Sequence, residues 1–157
     1  MSLAPRIDNI ESGATGPLSF RNKIINGDMR IDQRNAGASQ TFTAAAALAY
    51  SVDRWYGYCT GANVTGARVA GSSATQYRYQ FTGAASVTGI GFGQRIEATN
   101  AYPLAGQAAT LSVDLSNSLL TTVTWTAYYA NTADTFGTLA APTRTQTLQV
   151  PLLYLVR

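Results

Sequence analysis

The sequence has 157 residues with no histidine, one cysteine and one lysine, and charged residues make up only 12% of it. The lack of histidine excludes every catalytic triad that uses an imidazole base and every metal site that needs an imidazole ligand. A single cysteine, Cys59, cannot form a disulfide within the chain. No apolar run approaches the ~20 residues of a membrane-spanning helix, so we expect no insertion into a membrane.

The basic residues are too scattered to indicate a nucleic-acid-binding protein. The formal net charge is +3, but ten arginines and Lys23 are spread along the whole chain. Binding to phosphates needs many basic groups on one face. Several arginines instead lie close to an acid in the sequence. We therefore expect three ion pairs between near neighbours: Arg30 with Asp32, Asp53 with Arg54, and Arg95 with Glu97.

Short segments in which apolar and polar residues alternate follow one another from residue 20 onward. The clearest is at 75–83, where Tyr77, Tyr79 and Phe81 fall on one face. Similar alternation occurs at 29–34, 52–59, 92–98, 110–115, 123–129 and 145–150, and turn residues separate the segments. This pattern predicts an all-β domain over residues 20–157, an antiparallel β-sandwich of about eight strands and of the jelly-roll type.

The first 19 residues differ from this pattern. They contain Pro5, Gly13, Gly16 and Pro17 and show no sustained apolar period. We interpret residues 1–19 as an extended arm that anchors the domain to another subunit, and the alternative is a frayed terminus.

The residues that an enzyme or a metal site would need are poorly represented. The carboxylates of Asp28, Asp32, Asp53, Glu97 and Asp114 could supply a glycosidase pair, but most have an arginine nearby that would keep them ionised. No dense D-x-D-x-D loop is present to bind calcium. The segment GIGFG at 89–93 resembles a phosphate loop but has no third glycine and no predicted helix after it, so we interpret it as a glycine-rich turn or bulge. We predict no catalytic residue, no metal and no cofactor.

The nine tyrosines and two tryptophans have two interpretations. Large aromatic side chains most often fill the core. On a β-sandwich they also stack on sugar rings, because the apolar face of a sugar fits an aromatic ring. Tyrosines that lie next to an aromatic residue pointing to the opposite face are the better surface candidates. These candidates for glycan contact are Tyr56, Tyr58, Tyr128 and Tyr129.

Three segments resemble proteins encoded by tailed bacteriophages and prophages. They are FRNKIINGDMRIDQRNAGAS, YSVDRWYGY and FGQRIEATNAYPLAGQAATLSVDLS, and together they span roughly residues 20–130. The family shows an N-x-I-I-N-G-D-x-R-I-x-Q-R opening, then Y-x-x-D-R-W, then Q-x-I-E. Its members are usually called tail-fibre or virion appendage proteins, with a jelly roll like that of carbohydrate-binding modules.

The motif residues suggest maintenance of the fold rather than chemistry. Asn26-Gly27-Asp28 suits a tight turn with an Asx-type hydrogen bond. Asp53 and Arg54 would form an ion pair next to the large ring of Trp55, and together they would anchor a strand in the sandwich. We expect Gln94 and Glu97 to tie a neighbouring strand to the same network.

The resemblance implies a bacteriophage virion structural protein, located on the head or the tail, that contacts other virion proteins and host-surface glycans. The segment VPLLYLVR follows the region of resemblance. Either a shorter edge closes the domain, or Leu152, Leu153, Leu155 and Val156 are buried against another subunit. The second alternative, together with the three-fold symmetry common in phage appendages, favours a homotrimer. Two other classes of function are open. One is a free carbohydrate-binding module, and the other is a polysaccharide depolymerase that uses Asp28, Asp53 or Glu97.

Overall fold

A computed structural model describes residues 22–71, 75–104, 111–116, 122–132, 134–136 and 144–149, the last of these ranges as backbone only. Most of the regular structure in these residues consists of antiparallel β-strands, which confirms the predicted all-β class. The chain divides into two compact units. We call Met1–Arg95 the N-terminal unit and Ile96–Arg157 the C-terminal unit.

The N-terminal unit contains two antiparallel sheets of three strands each. The first has the order β1-β4-β5 and the second the order β2-β3-β6. The strands are β1 Gln40–Phe42, β2 Ala49–Tyr50, β3 Trp55–Thr60, β4 Val64–Ala70, β5 Tyr77–Gly83 and β6 Gly89–Gln94.

Aromatic rings from both sheets meet in one cluster. Phe92 of β6 stacks between Trp55 of β3 and Tyr79 of β5, with ring centroids 4.8 and 5.0 Å away and both interplanar angles 10°. Phe81 meets Phe92 edge-on at 5.4 Å, and Phe42 of β1 lies 5.6 Å from Phe81. Stacked and edge-to-face arrangements are the favourable geometries for such rings, so this cluster joins the two sheets.

Gly66 on β4 makes room for two of these rings. A Cβ atom at this position would lie 2.6 Å from the ring of Tyr79 and 2.7 Å from that of Phe42. Phe42 itself is buried, with Cys59 and Val64 packed beside it. The glycine therefore lets a strand backbone approach the core closely.

The predicted strand over 29–34 is wrong, although the turn at Asn26-Gly27 is present. Turns occupy 25–28 and 33–37. Backbone amides around these turns donate hydrogen bonds to side chains. The amide of Ile31 donates to Oδ1 of Asn26 at 3.0 Å, and that of Gly37 donates to Oδ2 of Asp32 at 2.8 Å. Side-chain acceptors of this kind compete with a strand ladder for the same backbone groups.

The predicted glycine-rich turn at 89–93 is also wrong. These residues form β6, which pairs with β3 without a break from Trp55↔Gln94 to Thr60↔Gly89. The strand predicted over 92–98 ends at Gln94, and a one-turn helix, α1, follows at Ala98–Ala101 before a 3-10 turn at Tyr102–Leu104.

The C-terminal unit contains an antiparallel pair, β7 Thr122–Ala127 and β8 Arg144–Gln149, which confirms strands at both predicted places. The predicted strand over 110–115 is not observed, because the described part of it, 111–115, pairs with no strand in the described residues. Leu111 and Val113, the apolar residues of this alternation, are 57% and 42% exposed. Apolar alternation without a pairing strand is insufficient to form a sheet.

Two predicted features lie outside the described residues. They are the arm over 1–19 and the apolar residues Leu152, Leu153, Leu155 and Val156. Within the described ranges, no helix is both long and apolar enough to cross a membrane.

Candidate functional site

Asn26 is the centre of a hydrogen-bonded network that joins separate motif segments. Its Nδ2 donates to the carbonyl of Ile31 at 2.8 Å and to that of Asp53 at 3.0 Å. Its backbone adopts φ 54°, in the left-handed region, which asparagine tolerates better than most residues. We call these contacts the Asn26 network.

Two further motif residues bind to the same segment. The indole Nε1 of Trp55 donates to the carbonyl of Asn26 at 3.0 Å, which ties the network to the aromatic cluster. The amide group of Gln94 makes two hydrogen bonds with the backbone of Ile25, accepting at 2.9 Å and donating at 2.7 Å. The structure thus brings residues of all three motifs together in the N-terminal unit.

Three of the charged residues, Arg30, Asp32 and Asp53, have partners other than those expected. Arg30 pairs with Asp28 rather than with Asp32, with Nε and Oδ2 2.5 Å apart. The carboxylate of Asp53 accepts from the amide of Gln33 at 2.6 Å.

Asp32 pairs instead with Arg68, whose Nε lies 3.8 Å from its Oδ2. Arg54, which has φ 76°, donates from Nη2 to the carbonyl of Arg95 at 3.2 Å. In the C-terminal unit, Glu97 precedes α1 and accepts from Nδ2 of Asn100 at 3.3 Å.

A group of tyrosines lies on the face of the second sheet opposite the aromatic cluster. The side chains of Tyr56 and Tyr58 point to this side of β3. The alternate residues, Gly57 and Cys59, face the other side and are buried. Tyr50 on β2 pairs with Tyr56, and their rings meet edge-on at 6.0 Å. We call the three tyrosines, together with the neighbouring Arg34 and Arg95, the tyrosine face.

The glycines of β6 shape this face. Tyr58 pairs with Gly91, and a Cβ atom there would lie 2.2 Å from the tyrosine ring. Tyr56 pairs with Gly93, where a Cβ atom would lie 2.8 Å from the tyrosine hydroxyl. The two rings therefore lie across the neighbouring strand, and Tyr58 remains 47% exposed.

Two guanidinium groups flank the tyrosines. The Cζ atom of Arg34 lies 5.4 Å from the centroid of the Tyr50 ring. That of Arg95 lies 5.4 Å from the centroid of Tyr56, and its Nη1 donates to the Tyr50 hydroxyl at 3.4 Å. These distances are within the range of cation–π contacts. The face thus combines aromatic surface, hydroxyl groups and positive charge.

The side chains of the tyrosine face are of types that bind ligands. Among the described residues, no group of three or more His, Cys, Asp or Glu side chains is placed to hold a metal ion. Aromatic rings offer flat apolar surfaces, and hydroxyl and guanidinium groups offer hydrogen bonds. This combination suits a ligand with both apolar faces and polar edges.

The four predicted glycan-contact tyrosines fall in two places. Tyr56 and Tyr58 lie on the tyrosine face, whereas Tyr128 and Tyr129 follow β7 in the C-terminal unit, where they are 55% and 57% exposed. Sequence reasoning missed Tyr50 as a member of the face. Tyr50 lies opposite Tyr56 because residues 52–54 make the turn and the amide of Ser51 donates to the carbonyl of Trp55 at 2.9 Å.

Tyr79 of β5, whose ring lies in the aromatic cluster, is a titratable group with a shifted pKa. Burial raises the pKa of its hydroxyl above the ordinary value, the nearby hydroxyl of Ser51 opposes this, and the charge of Asp32 adds to it. No hydrogen bond of standard geometry joins this hydroxyl to another described group. Tyr79 therefore belongs to the core and not to the tyrosine face.

Comparison of the chain with protein-family models, with curated proteins and with solved structures finds no match. The functional assignment therefore depends on the residues themselves.

Proposed function

We propose that this protein is a structural component of a bacteriophage virion, an all-β module that joins the particle through protein–protein contacts and touches host-surface glycans. The observation that carries the proposal is the convergence of the three motifs. Asn26, Trp55 and Gln94 come from separate segments and meet in one network. A shared structural role supports the interpretation that these motifs form one family signature.

The proposal includes a β-sandwich architecture of the jelly-roll type. Contacts between rings of different sheets support it, such as the stacking of Phe92 on Tyr79 at 5.0 Å. Sheets packed through alternating inward side chains are the basis of such sandwiches.

Homotrimer formation is part of the same proposal. Large apolar side chains are exposed in the described residues of the C-terminal unit, and Tyr102 is 80% exposed. The others are Leu104, Leu111, Val113, Tyr128 and Tyr129. Exposed aromatic and aliphatic side chains are found at subunit interfaces, and this supports the prediction of subunit contacts.

Immunogold labelling of purified particles tests the virion assignment. An antibody against the purified chain should label particles of the phage or prophage that encodes it, at either the head or the tail. An unlabelled particle, with the chain recovered only in the soluble fraction of the lysate, would contradict the proposal.

The second candidate is a free carbohydrate-binding module, which the tyrosine face favours. Glycan binding by the purified chain without any attachment to particles would select this alternative.

A further inference from the structure

We propose that the tyrosine face binds acidic glycans, with one sugar ring stacked on Tyr58 and an acidic group of a neighbouring sugar held by Arg34. The inference rests on the glycan contact in the proposed function and specifies its ligand class.

The stacking position follows from the way Tyr58 lies on the sheet. Its ring lies over the backbone of β6 at Gly91, where any side chain would clash with the ring. One side of the ring is therefore against the backbone, and the other is presented to solvent in a residue that is 47% exposed. The C–H groups on one face of a pyranose ring are apolar and pack on such an aromatic surface.

The length of the face suits an oligosaccharide. Tyr58 is two residues from Tyr56 along β3, which is about 7 Å in a strand. Tyr50 extends the face to the adjacent strand, where Arg34 lies over its ring. A ligand that contacts both Tyr58 and Arg34 must therefore contain more than one sugar.

The charge of the face selects an acidic ligand. Arg34 is exposed, and the contacts of Arg95 with Tyr56 and Tyr50 place a second guanidinium in the same group. Guanidinium groups bind carboxylates with paired, charge-assisted hydrogen bonds.

The described aspartates of the N-terminal unit contact other groups. Asp28 pairs with Arg30, Asp32 is buried beside Arg68, and Asp53 binds the amide of Gln33. The contacts of these carboxylates are therefore with groups other than the tyrosines of the face.

A glycan fits better than a single-stranded nucleic acid. Nucleobases also stack on tyrosine, but nucleic-acid binding depends on many phosphate contacts. The tyrosine face contains two guanidinium groups, far fewer than the phosphate contacts of a nucleic-acid site, and the exposed one, Arg34, matches occasional acidic sugars in a chain of neutral ones.

The test measures binding of the full-length chain to three oligosaccharides, from polygalacturonate, alginate and hyaluronan. Each is compared with the same oligosaccharide after reduction of its carboxyl groups to hydroxymethyl groups, and a poly(dT) oligonucleotide serves as the nucleic-acid probe. We expect at least one acidic oligosaccharide to bind, with affinity falling about tenfold or more on carboxyl reduction. Added salt should weaken this binding, because the exposed charges become screened.

Two variants locate the binding. Arg34→Gln should reduce affinity for the acidic ligand to that for its reduced form, whereas Arg78→Gln, which removes a charge from β5 in the other sheet, should have no effect. Tyr58→Leu keeps an apolar cover over Gly91 but removes the aromatic ring, and should abolish binding of both forms. Tyr77→Leu, on β5 of the other sheet, is its matched control and should leave binding unchanged. Thermal melts of each variant check that it is folded.

Each contrary result has a distinct meaning. Equal binding of acidic and reduced forms would overturn the acidic class and leave glycan contact in place. No binding of any oligosaccharide would overturn both the acidic ligand class and the glycan contact. The virion assignment would be unaffected, because particle labelling tests it separately. Preferential binding of poly(dT) would also overturn the inference, in favour of nucleic acid.

Discussion

Tyr79 shows what burial of one polar atom does to the stability of the N-terminal unit. Its ring is part of the aromatic cluster, stacked on Phe92, but its hydroxyl is buried without a hydrogen bond of standard geometry. Burial of an unpaired hydroxyl costs free energy that the packing of the ring must offset. The same burial raises its pKa, so the folded chain keeps this proton more tightly than the unfolded chain does.

We expect Tyr79→Phe to increase the free energy of unfolding by about 1 kcal/mol at neutral pH, because it removes the unpaired hydroxyl and keeps the ring. As pH rises above the ordinary tyrosine pKa, the unfolded wild-type chain loses this proton first, so the wild type loses stability until the raised pKa of the folded state is passed. The variant lacks this loss. Urea unfolding of both proteins at neutral pH and above pH ~10 measures the difference, which should grow with pH. A constant difference would contradict the assignment of the raised pKa to Tyr79.

At the scale of elements, the Asn26 network holds an irregular segment against the second sheet. We expect Asn26→Ala to lower the free energy of unfolding by about 2–4 kcal/mol, because several hydrogen bonds are lost and alanine is strained at positive φ. Asn35→Ala is the matched control, since the Asn35 side chain makes one described hydrogen bond, to Gln40 at 3.0 Å, and should cost about 1 kcal/mol. Chemical unfolding measures both. Similar small losses in the two variants would show that the network has no special role.

Elements were predictable where the residues that form them are adjacent in sequence. The alternation of Tyr77, Tyr79 and Phe81 predicts β5, and these three are less exposed than Arg78 and Gln80 between them. The predicted strand over 92–98 overlaps β6 only at its end, and the start of β6 was missed because its glycines gain their cover from tyrosines of β3, a pairing that local sequence does not show. The segment 29–34 was misassigned because Asn26 and Asp32 provide hydrogen bonds that replace a ladder.

The candidate site follows the same rule. Tyr56 and Tyr58 were identified from alternation within one strand. Tyr50 joins them through the pairing of β2 with β3, and Arg34 through its contact with the Tyr50 ring. Arg95, directly after β6, joins them through its contacts with Tyr56 and Tyr50. The sequence suggested an ion pair of Arg95 with Glu97, but sequence proximity says nothing about its contact with Tyr56.

At the scale of the whole molecule, the proposed trimer can be tested by the native mass of the purified chain with and without residues 1–19. We expect three times the mass of one chain in both forms, because the trimer contacts are assigned to the domain and the arm is assigned to attachment to the particle. Native mass spectrometry or light scattering measures this. A trimer that is lost on truncation would make the arm the oligomerisation element, and a monomer in both forms would favour the free carbohydrate-binding module.

The central claim is that the protein belongs to a virion, and its amount in purified particles tests this most directly. Particles of the encoding phage are banded by density-gradient centrifugation, and the chain is quantified by mass spectrometry against the other structural proteins. We predict that the chain comigrates with the particles in a fixed ratio to those proteins across the band. Absence from the band, or a ratio that varies from fraction to fraction, would contradict the claim.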